Sequence, residues 1–370
     1  MTRRRLITLA AALVLLGSTL LPFGERGDGL SASPALLAAT LMAAVVLAAS
    51  TFLGRVMLPL AAAACLLVCA IAIRLLDYPG VAGHGGTGFW VFVIGCLIAA
   101  AELVTAMSTV RASGRRARRL QGIIAPTFFG TAMFFLWEVV VRGFGVPSVL
   151  MPAPSAIAAR VAASWPILVE DFNQTFLHGV LAGYLIGCTA GFLVAIVADR
   201  IPFLRRGLLP LGNFVAALPI VGIAPIMVMW FGFDWPSKAA VVVVMTFFPM
   251  LVNTVAGLAA SGRIERDLMR SYGATYRQSL VKMRLPAAMP FIFNALKINS
   301  TLALIGAIVA EFFGTPIVGM GFRISIEVAR MSLDMVWAEI ALAAVSGTAF
   351  YGLVALTERA TTFWHPSYRA

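Results

Sequence analysis

The stretch AAVVVVMTFFPMLVNTVAG, residues 239–257, decides the fold class of this chain. It contains no charged residue, and its length approaches the ~20 apolar residues that cross a bilayer as a helix. Similar apolar runs recur from one end of the chain to the other, and together they predict ten membrane spans. These predicted spans are 6–22, 34–53, 57–76, 88–110, 122–142, 177–198, 207–231, 239–257, 290–312 and 337–357.

The composition supports the same fold class. The chain is 61% hydrophobic and 12% charged, with a mean hydropathy of +0.94, whereas soluble domains are about half apolar and about a quarter charged. A soluble fold cannot bury this much apolar surface. In lipid, backbone groups must pair within the chain, which leaves helix bundles or closed barrels, and barrels show short alternating segments. We therefore predict an all-α membrane protein.

The positive charges predict how the chain is oriented. Placing the N-terminus inside puts most of the 28 Lys and Arg residues in cytoplasmic segments, as the positive-inside rule requires. With ten spans, both termini are then cytoplasmic. Because no small-x-small cleavage site follows the first apolar run, we interpret it as an uncleaved helix, with a cleaved signal peptide as the alternative. The Arg residues lie between apolar runs, so the net charge of +12 does not indicate a nucleic-acid partner.

The basic segment RASGRRARRL, residues 111–120, divides the chain. We predict an N-terminal four-helix membrane region of unknown role at 1–110, a basic cytoplasmic linker at 111–120, and a six-helix domain at 121–370. The charges of the linker themselves fit an ordinary loop beside anionic headgroups. The four Cys residues lie within apolar runs and are interpreted as buried small apolar groups, so neither a metal nor a cofactor is expected.

The segment LAASGRIERDLMRSYGATYRQSLVKMRLPAAM, residues 258–289, is too polar to enter lipid. Apolar residues from Ile264 to Tyr272 recur at helical spacing, Gly273 interrupts the pattern, and a second amphipathic stretch follows. Pro286 is expected to end that stretch. The pattern predicts two short helices that meet at a glycine bend on the cytoplasmic face. An amphipathic pair lying on the lipid headgroups remains an equal alternative.

This segment resembles the cytoplasmic signature E-A-A-x3-G-x9-I-x-L-P of bacterial ABC importer permeases. Asp267 stands at the acidic position, both alanine positions are changed, and Gly273 matches the glycine. The Leu285–Pro286 pair matches the end of the signature. Other stretches are similar to permeases of the taurine, aliphatic sulfonate, nitrate and thiamine-precursor group. They are LWE at 136–138, LMPAPSAI at 150–157, LPIVGIAPIMVMWFGF at 218–233, FFPMLVNTVAGL at 247–258, LPAAMPFIFNALK at 285–297 and VAEFFG at 309–314.

The resemblance covers roughly residues 120–360 and implies a fold and a function. The fold would be the six-helix core of a type I ABC importer permease, preceded by four extra helices. The function would be that of a permease subunit in a bacterial inner membrane. It would receive a small polar solute, such as a sulfonate, nitrate or a vitamin precursor, from a periplasmic substrate-binding protein. Its other expected partners are an ABC ATPase dimer, a second permease copy or paralogue, and the lipid bilayer.

The same resemblance implies a coupling loop whose first helix docks into the ATPase. Asp267 and Gly273 would shape this loop, and Arg270 and Arg277 would be rim charges that tune encounter more than affinity. No Lys follows a glycine-rich phosphate loop, so ATP hydrolysis would belong to a separate chain and this chain is not expected to be an enzyme. The full coupling set is Asp267, Met269, Arg270, Tyr272, Gly273, Ala274, Arg277, Leu285 and Pro286.

Polar residues inside the predicted spans are candidates for the translocation path, because such groups are costly in lipid and usually functional. These candidates are Asn253, Asn299 and Glu311. For Glu311 the alternative is a structural hydrogen bond or a cap. For the two Asn residues the alternative is hydrogen bonding between helices. The loops 143–176 and 313–336 are long enough for short surface helices and are the candidates for docking the binding protein.

A secondary transporter and a membrane-embedded enzyme are the two alternatives to a permease. A secondary transporter driven by an ion gradient needs acidic or His relays in broken helices of paired repeats. Glu102 is a lone candidate for such a relay, and no repeat is evident. A membrane-embedded enzyme needs clustered polar groups, whereas His84, His178 and His365 fall in separate segments.

Overall fold

A computed structural model of the chain describes residues 3–24, 34–53, 58–78, 80–108, 115–216, 218–314 and 317–364. Throughout these ranges the regular structure is helical, without strands. The chain divides into two compact units, Met1–Ala158 and Ala159–Ala370. This division follows packing, and the boundary predicted at 111–120, part of which lies outside the described residues, stays a prediction.

The first unit is built on a bundle in which α1 packs against α2 and α4, and α3 against the same two helices. Leu15, Val68, Phe89 and Phe92 are fully buried in its core. The fifth helix, α5, packs on α3 and α4. The bounds are α1 Arg3–Ser18, α2 Pro34–Leu53, α3 Leu58–Leu75, α4 Thr87–Ser108 and α5 Arg115–Gly143.

In the second unit, α11 lies between α8 and α14, and α16 packs on α14. Two π-helical turns, Asn173–Leu181 and Leu280–Arg284, join α7 to α8 and α13 to α14. The helix α6, Pro154–Ala163, spans the boundary between the units. The other bounds are α7 Trp165–Phe172, α8 Ala182–Arg200, α9 Pro202–Ala216, α10 Ile220–Phe231, α11 Trp235–Ala259, α12 Arg263–Ser271, α13 Tyr276–Ser279, α14 Leu285–Glu311, α15 Met320–Ala329 and α16 Leu333–Thr361.

Five helices in the described residues are apolar and long enough to cross a membrane. Helices also lie at the remaining predicted spans, but the count of ten stays a prediction. The prediction of one continuous span at 207–231 is wrong, because α9 and α10 are separate helices. Pro219 precedes α10 with extended backbone, φ −69° and ψ 121°, and a proline also disfavours helical backbone at the residue before it. The five apolar helices are Thr87–Thr105, Trp165–Arg200, Trp235–Ala259, Tyr276–Glu311 and Leu333–Thr361.

A seam of glycines lets α8 approach α11 closely. Gly183, Gly187 and Gly191 are spaced by four residues and therefore lie on one face of α8. A Cβ atom on Gly187 would fall 2.1 Å from Thr246 Oγ1, and one on Gly191 would fall 2.5 Å from the Phe247 carbonyl oxygen. Small residues at this spacing are typical of closely packed membrane helices. The seam thus fixes α11 against α8 over successive turns.

Candidate functional site

The helix α12 presents apolar side chains away from the bundle. Ile264, Leu268 and Tyr272 are 83%, 55% and 81% exposed, and their spacing of four residues places them along one side of the helix. We call these three residues the α12 stripe. The helix predicted from the sequence at this position is confirmed. A stripe of large apolar groups is unfavourable in water, so the α12 stripe is a candidate surface for contact with another molecule.

A glycine bend ends α12, as predicted. Gly273 has a φ of +63°. Its N–H donates to the Arg270 carbonyl at 2.9 Å, and the N–H of Ala274 donates to the Met269 carbonyl at 3.0 Å. This bond pair is the Schellman ending of a helix, which places a glycine at the left-handed position. A Cβ atom on Gly273 would meet nothing within 4 Å, so the position requires a backbone conformation rather than space.

The stretch after the bend departs from its prediction. Thr275 caps α13 through a reciprocal box with Gln278, but the helix does not stop at Pro286. It continues through Leu285 and Pro286 to Glu311. Pro286 lies in the first turn of α14, directly after the π-helical turn. The Leu285 N–H bonds to the Leu280 carbonyl oxygen, five residues back. This wider π-helical turn changes the local hydrogen-bond pattern, so the helix can continue past a residue that has no N–H.

A network of four residues fastens this region to the ends of α8 and α11; we call Asp199, Leu258, Tyr276 and Arg284 the base network. Arg284 Nη1 and Nη2 each donate to an Asp199 carboxylate oxygen at 2.7 Å. Arg284 Nε donates to the Leu258 carbonyl oxygen at 3.1 Å. The Tyr276 hydroxyl donates to Asp199 Oδ2 at 2.9 Å. The rest of the loop therefore projects from a fixed base.

The other predicted coupling residues differ in how far they are exposed. Asp267 and Arg270 are exposed and form a loose pair with an N···O distance of 3.6 Å, which contributes little in water. Arg277 is also exposed, while Met269 and Ala274 are half-buried. Leu285 and Pro286 are half-buried, and Leu285 packs against the core of the second unit. The role of all these residues in coupling stays a prediction.

Glu311 belongs to a buried polar cluster at the opposite end of the same helices. Its carboxylate accepts the Thr175 hydroxyl at 2.8 Å and the Gly321 N–H at 2.7 Å. Nearby, Asp171 accepts the Gly319 N–H at 2.6 Å and Arg323 Nε at 2.8 Å. We call the side chains at this end the α15-end cluster. Its members are Asp171, Thr175, Lys238, Glu311, Arg323 and Glu339.

The charges of the α15-end cluster are unequally partnered. Lys238 Nζ donates to the backbone carbonyls of Phe233 and Gly314. The hydrogen bonds with Asp171 raise the pKa of Arg323 above its ordinary value. Glu339 is fully buried, and neither of its carboxyl oxygens is reached by a donor from the described residues. Its carboxyl group lies beside that of Asp171, and two neighbouring carboxyl groups can share a hydrogen bond when one of them is protonated.

The two candidate Asn residues differ. Asn299 is fully buried on α14 and donates across to the Thr246 carbonyl of α11 at 2.8 Å and to Cys188 Sγ of α8 at 3.2 Å. This is the interhelical bonding predicted for it. Asn253 instead donates to the Pro249 carbonyl of its own helix at 2.8 Å, because residues four apart on a helix are neighbours. A path role for Asn253, Asn299 or Glu311 stays a prediction.

Comparison with known proteins assigns the chain to a family. Residues 183–363 match the family described as binding-protein-dependent transport system inner membrane component. The chain is 34% identical over 201 residues to the formylaminopyrimidine transport permease protein of Halalkalibacterium halodurans, covering 53% of this chain and 78% of that protein. The chain belongs to this family. The resemblance found in the sequence is therefore confirmed, and this inner-membrane component is an ABC transporter permease.

Other relatives of this permease are named for different solutes. It is 28% identical over 237 residues to the riboflavin transport system permease protein of Chloroflexus aurantiacus, covering 64% of this chain and 88% of that protein. It is 27% identical over 252 residues to the putative aliphatic sulfonates transport permease protein of Bacillus subtilis, covering 67% and 89%. The relatives thus share the permease role and differ in what they carry.

Several buried charges of this permease were missed by sequence reasoning. The sequence assigns no role to Asp199 and no partner to Arg284, yet these two residues, 85 positions apart, meet in space. Asp171 and Glu339 fall in or beside predicted spans. Their only signal was an acidic residue near an apolar run, which in a membrane protein marks a buried or functional group.

Proposed function

We propose that this permease is the membrane-spanning subunit of an ATP-driven importer and that ATP is hydrolysed by a separate pair of subunits. The α12 end of the second unit would face the cytoplasm, with both chain termini on that side. The imported molecule would be a small polar solute, such as a sulfonate, nitrate or a vitamin precursor. A periplasmic binding protein would deliver it to the α15 end.

The α12 stripe is the observation that supports this proposal best. It combines exposed apolar groups with a helix whose ending and base are both tightly hydrogen-bonded. An amphipathic helix on headgroups instead carries a polar face rich in basic residues, whereas α12 mixes Glu265 and Asp267 with its Arg residues. A groove in a protein partner can satisfy both signs of charge. We therefore favour docking on an ATPase over lying on lipid.

The remaining partners follow from the family. One six-helix domain would pair with a second copy or a paralogue about a two-fold axis, as membrane and soluble oligomers commonly do. The predicted docking loops 143–176 and 313–336 contain the short helices α6, α7 and α15, which gives the binding protein ordered surfaces to contact. The ion-gradient alternative gains no support from the family or from the named relatives.

The proposal is tested by purifying the tagged chain with its membrane partners and measuring retained ATPase activity. Ile264→Ser removes an apolar group of the α12 stripe and should release the ATPase. Phe203→Ser is the matched control, because Phe203 is also 83% exposed but lies on α9. If the unaltered chain retains no ATPase, or if both variants release it equally, the proposed function is wrong.

A further inference from the structure

We infer that Asp199 and Arg284 are positioning residues that transmit movement of α12 and α13 to the spanning helices α8 and α11, an inference that rests on the function proposed above. Docking at the α12 stripe explains where a partner would push. It does not explain how a push on an exposed helix reaches the bundle. The base network supplies that connection through side chains on both sides.

Arg284 contacts two spanning helices with one guanidinium group. Two of its nitrogens bind the Asp199 carboxylate near the end of α8, each at 2.7 Å. Its Nε and Nη2 bind the Leu258 carbonyl oxygen at 3.1 and 3.0 Å. Leu258 lies in the last turn of α11, where carbonyls lack partners within the helix and carry its negative dipole end. A single side chain therefore ties the ends of α8 and α11 together.

Tyr276 extends this connection toward α12. It is the first residue of α13, three positions after Gly273. Its hydroxyl donates to Asp199 Oδ2 at 2.9 Å, and the Arg200 guanidinium lies 5.3 Å from the centre of its ring, within range of a cation–π interaction. Both the start of α13 and its junction with α14 are thus held by the same carboxylate.

Burial makes this connection stiff. The side chains of Asp199 and Arg284 are only 3% and 14% exposed. The side chains of an exposed ion pair separate readily and bind water instead. A buried bidentate pair of arginine and carboxylate keeps one arrangement. Lysine cannot replace the arginine here, because a single ammonium lacks the planar fork that binds two oxygens and a carbonyl together. The pair can therefore carry displacement from one element to the next.

A second buried ion pair provides a control in the same continuous helix. Lys297 Nζ lies 2.7 Å from Glu358 Oε2, and the two side chains are 18% and 7% exposed. This pair joins α14 to α16. It resembles Asp199–Arg284 in distance and burial, but it does not contact α12 or α13. Loss of either pair costs stability, since it leaves a buried charge unpaired.

The test uses complexes reconstituted in vesicles and measures solute imported per ATP hydrolysed. Arg284→Lys and Asp199→Asn should retain the ATPase but lower this ratio about tenfold, which corresponds to 1.4 kcal/mol lost from the preference of one state over the other. Lys297→Met and Glu358→Gln should leave the ratio of their surviving complexes unchanged. Equal ratios in the two sets would mean that Asp199 and Arg284 act only in stability.

The outcomes separate this inference from the proposed function. If the unaltered chain retains no ATPase, the proposed function fails. If it retains ATPase and Arg284→Lys imports normally per ATP, only the inference fails. Should Arg284→Lys not fold, Tyr276→Phe removes a single hydroxyl and keeps the ring. We expect Tyr276→Phe to lower the ratio about threefold, the share of one hydrogen bond, and an unchanged ratio would overturn the inference.

Discussion

The two ends of the second unit use buried charges to opposite effect. At the α12 end, the base network fixes the foot of the loop and leaves α12 exposed. At the α15 end, three successive backbone N–H groups, those of Gly319, Met320 and Gly321, each donate to a cluster side chain, so that the loop is drawn into the bundle. Similar hydrogen bonds can therefore either present a segment to a partner or hold it closed.

The two ends also differ in the balance of their charges. The base network pairs one buried carboxylate with one arginine. The α15-end cluster sets three carboxyl groups against Lys238 and Arg323, and Glu339 has no donor in reach among the described residues. We therefore expect substitutions of Glu311, whose two carboxylate oxygens each accept a hydrogen bond, to lower stability more than substitutions of Glu339.

Glu311→Ala should give the largest effect of the three substitutions. A small effect would contradict the difference described between the two ends. The change removes the acceptor for the Thr175 hydroxyl and for the Gly321 N–H. Leaving a buried donor without its acceptor costs about 1–3 kcal/mol, and two donors are affected here. Thermal unfolding of the purified protein should show a clear drop. Asp267→Asn, which alters an exposed pair with Arg270, should leave the unfolding temperature almost unchanged.

Gly273→Leu should give an intermediate effect that is confined to the α12 end. A side chain at a left-handed position costs about 1–2 kcal/mol, and the space around Gly273 is open, so the protein should insert normally. Solute uptake should nevertheless fall, because the bend that aims α12 is lost. Gly273→Asn is the control, since asparagine tolerates this conformation. Equal uptake by both variants would show that the bend is not needed.

Glu339→Gln should give the smallest effect, and it can be compared directly with Glu311→Ala because both residues belong to the α15-end cluster. The amide keeps the shape of the side chain, replaces a buried ionisable group by a neutral one, and can itself donate to the neighbouring Asp171 carboxylate. Burying a neutral amide costs less than burying an ionisable carboxyl group, so the exchange should be close to neutral or stabilising. The unfolding temperature should therefore be unchanged or higher. A fall as large as that of Glu311→Ala would contradict this and would show that Glu339 stabilises the fold.

The sequence predicted local features well and tertiary ones poorly. Apolar runs located the helices, and the spacing from Ile264 to Tyr272 located α12 and its bend. Local rules misjudged Pro286, because whether a proline ends a helix depends on the turn before it. The base network could not be foreseen, since the pairing of Asp199 with Arg284 depends on how α8 and α11 pack. An acidic residue beside an apolar run indicates burial but does not identify its partner.

The glycine seam has a mechanical consequence for the whole second unit. With no side chain at Gly183, Gly187 or Gly191 to act as a cushion, α8 and α11 touch backbone to side chain through consecutive turns. Sliding of α8 along α11 would produce steric clashes, because the interior is close-packed and has little free space to absorb the movement. The two helices should therefore move together as one rigid body. Movement during a transport cycle should then occur where α8 and α11 contact other helices, because longer side chains separate the backbones there.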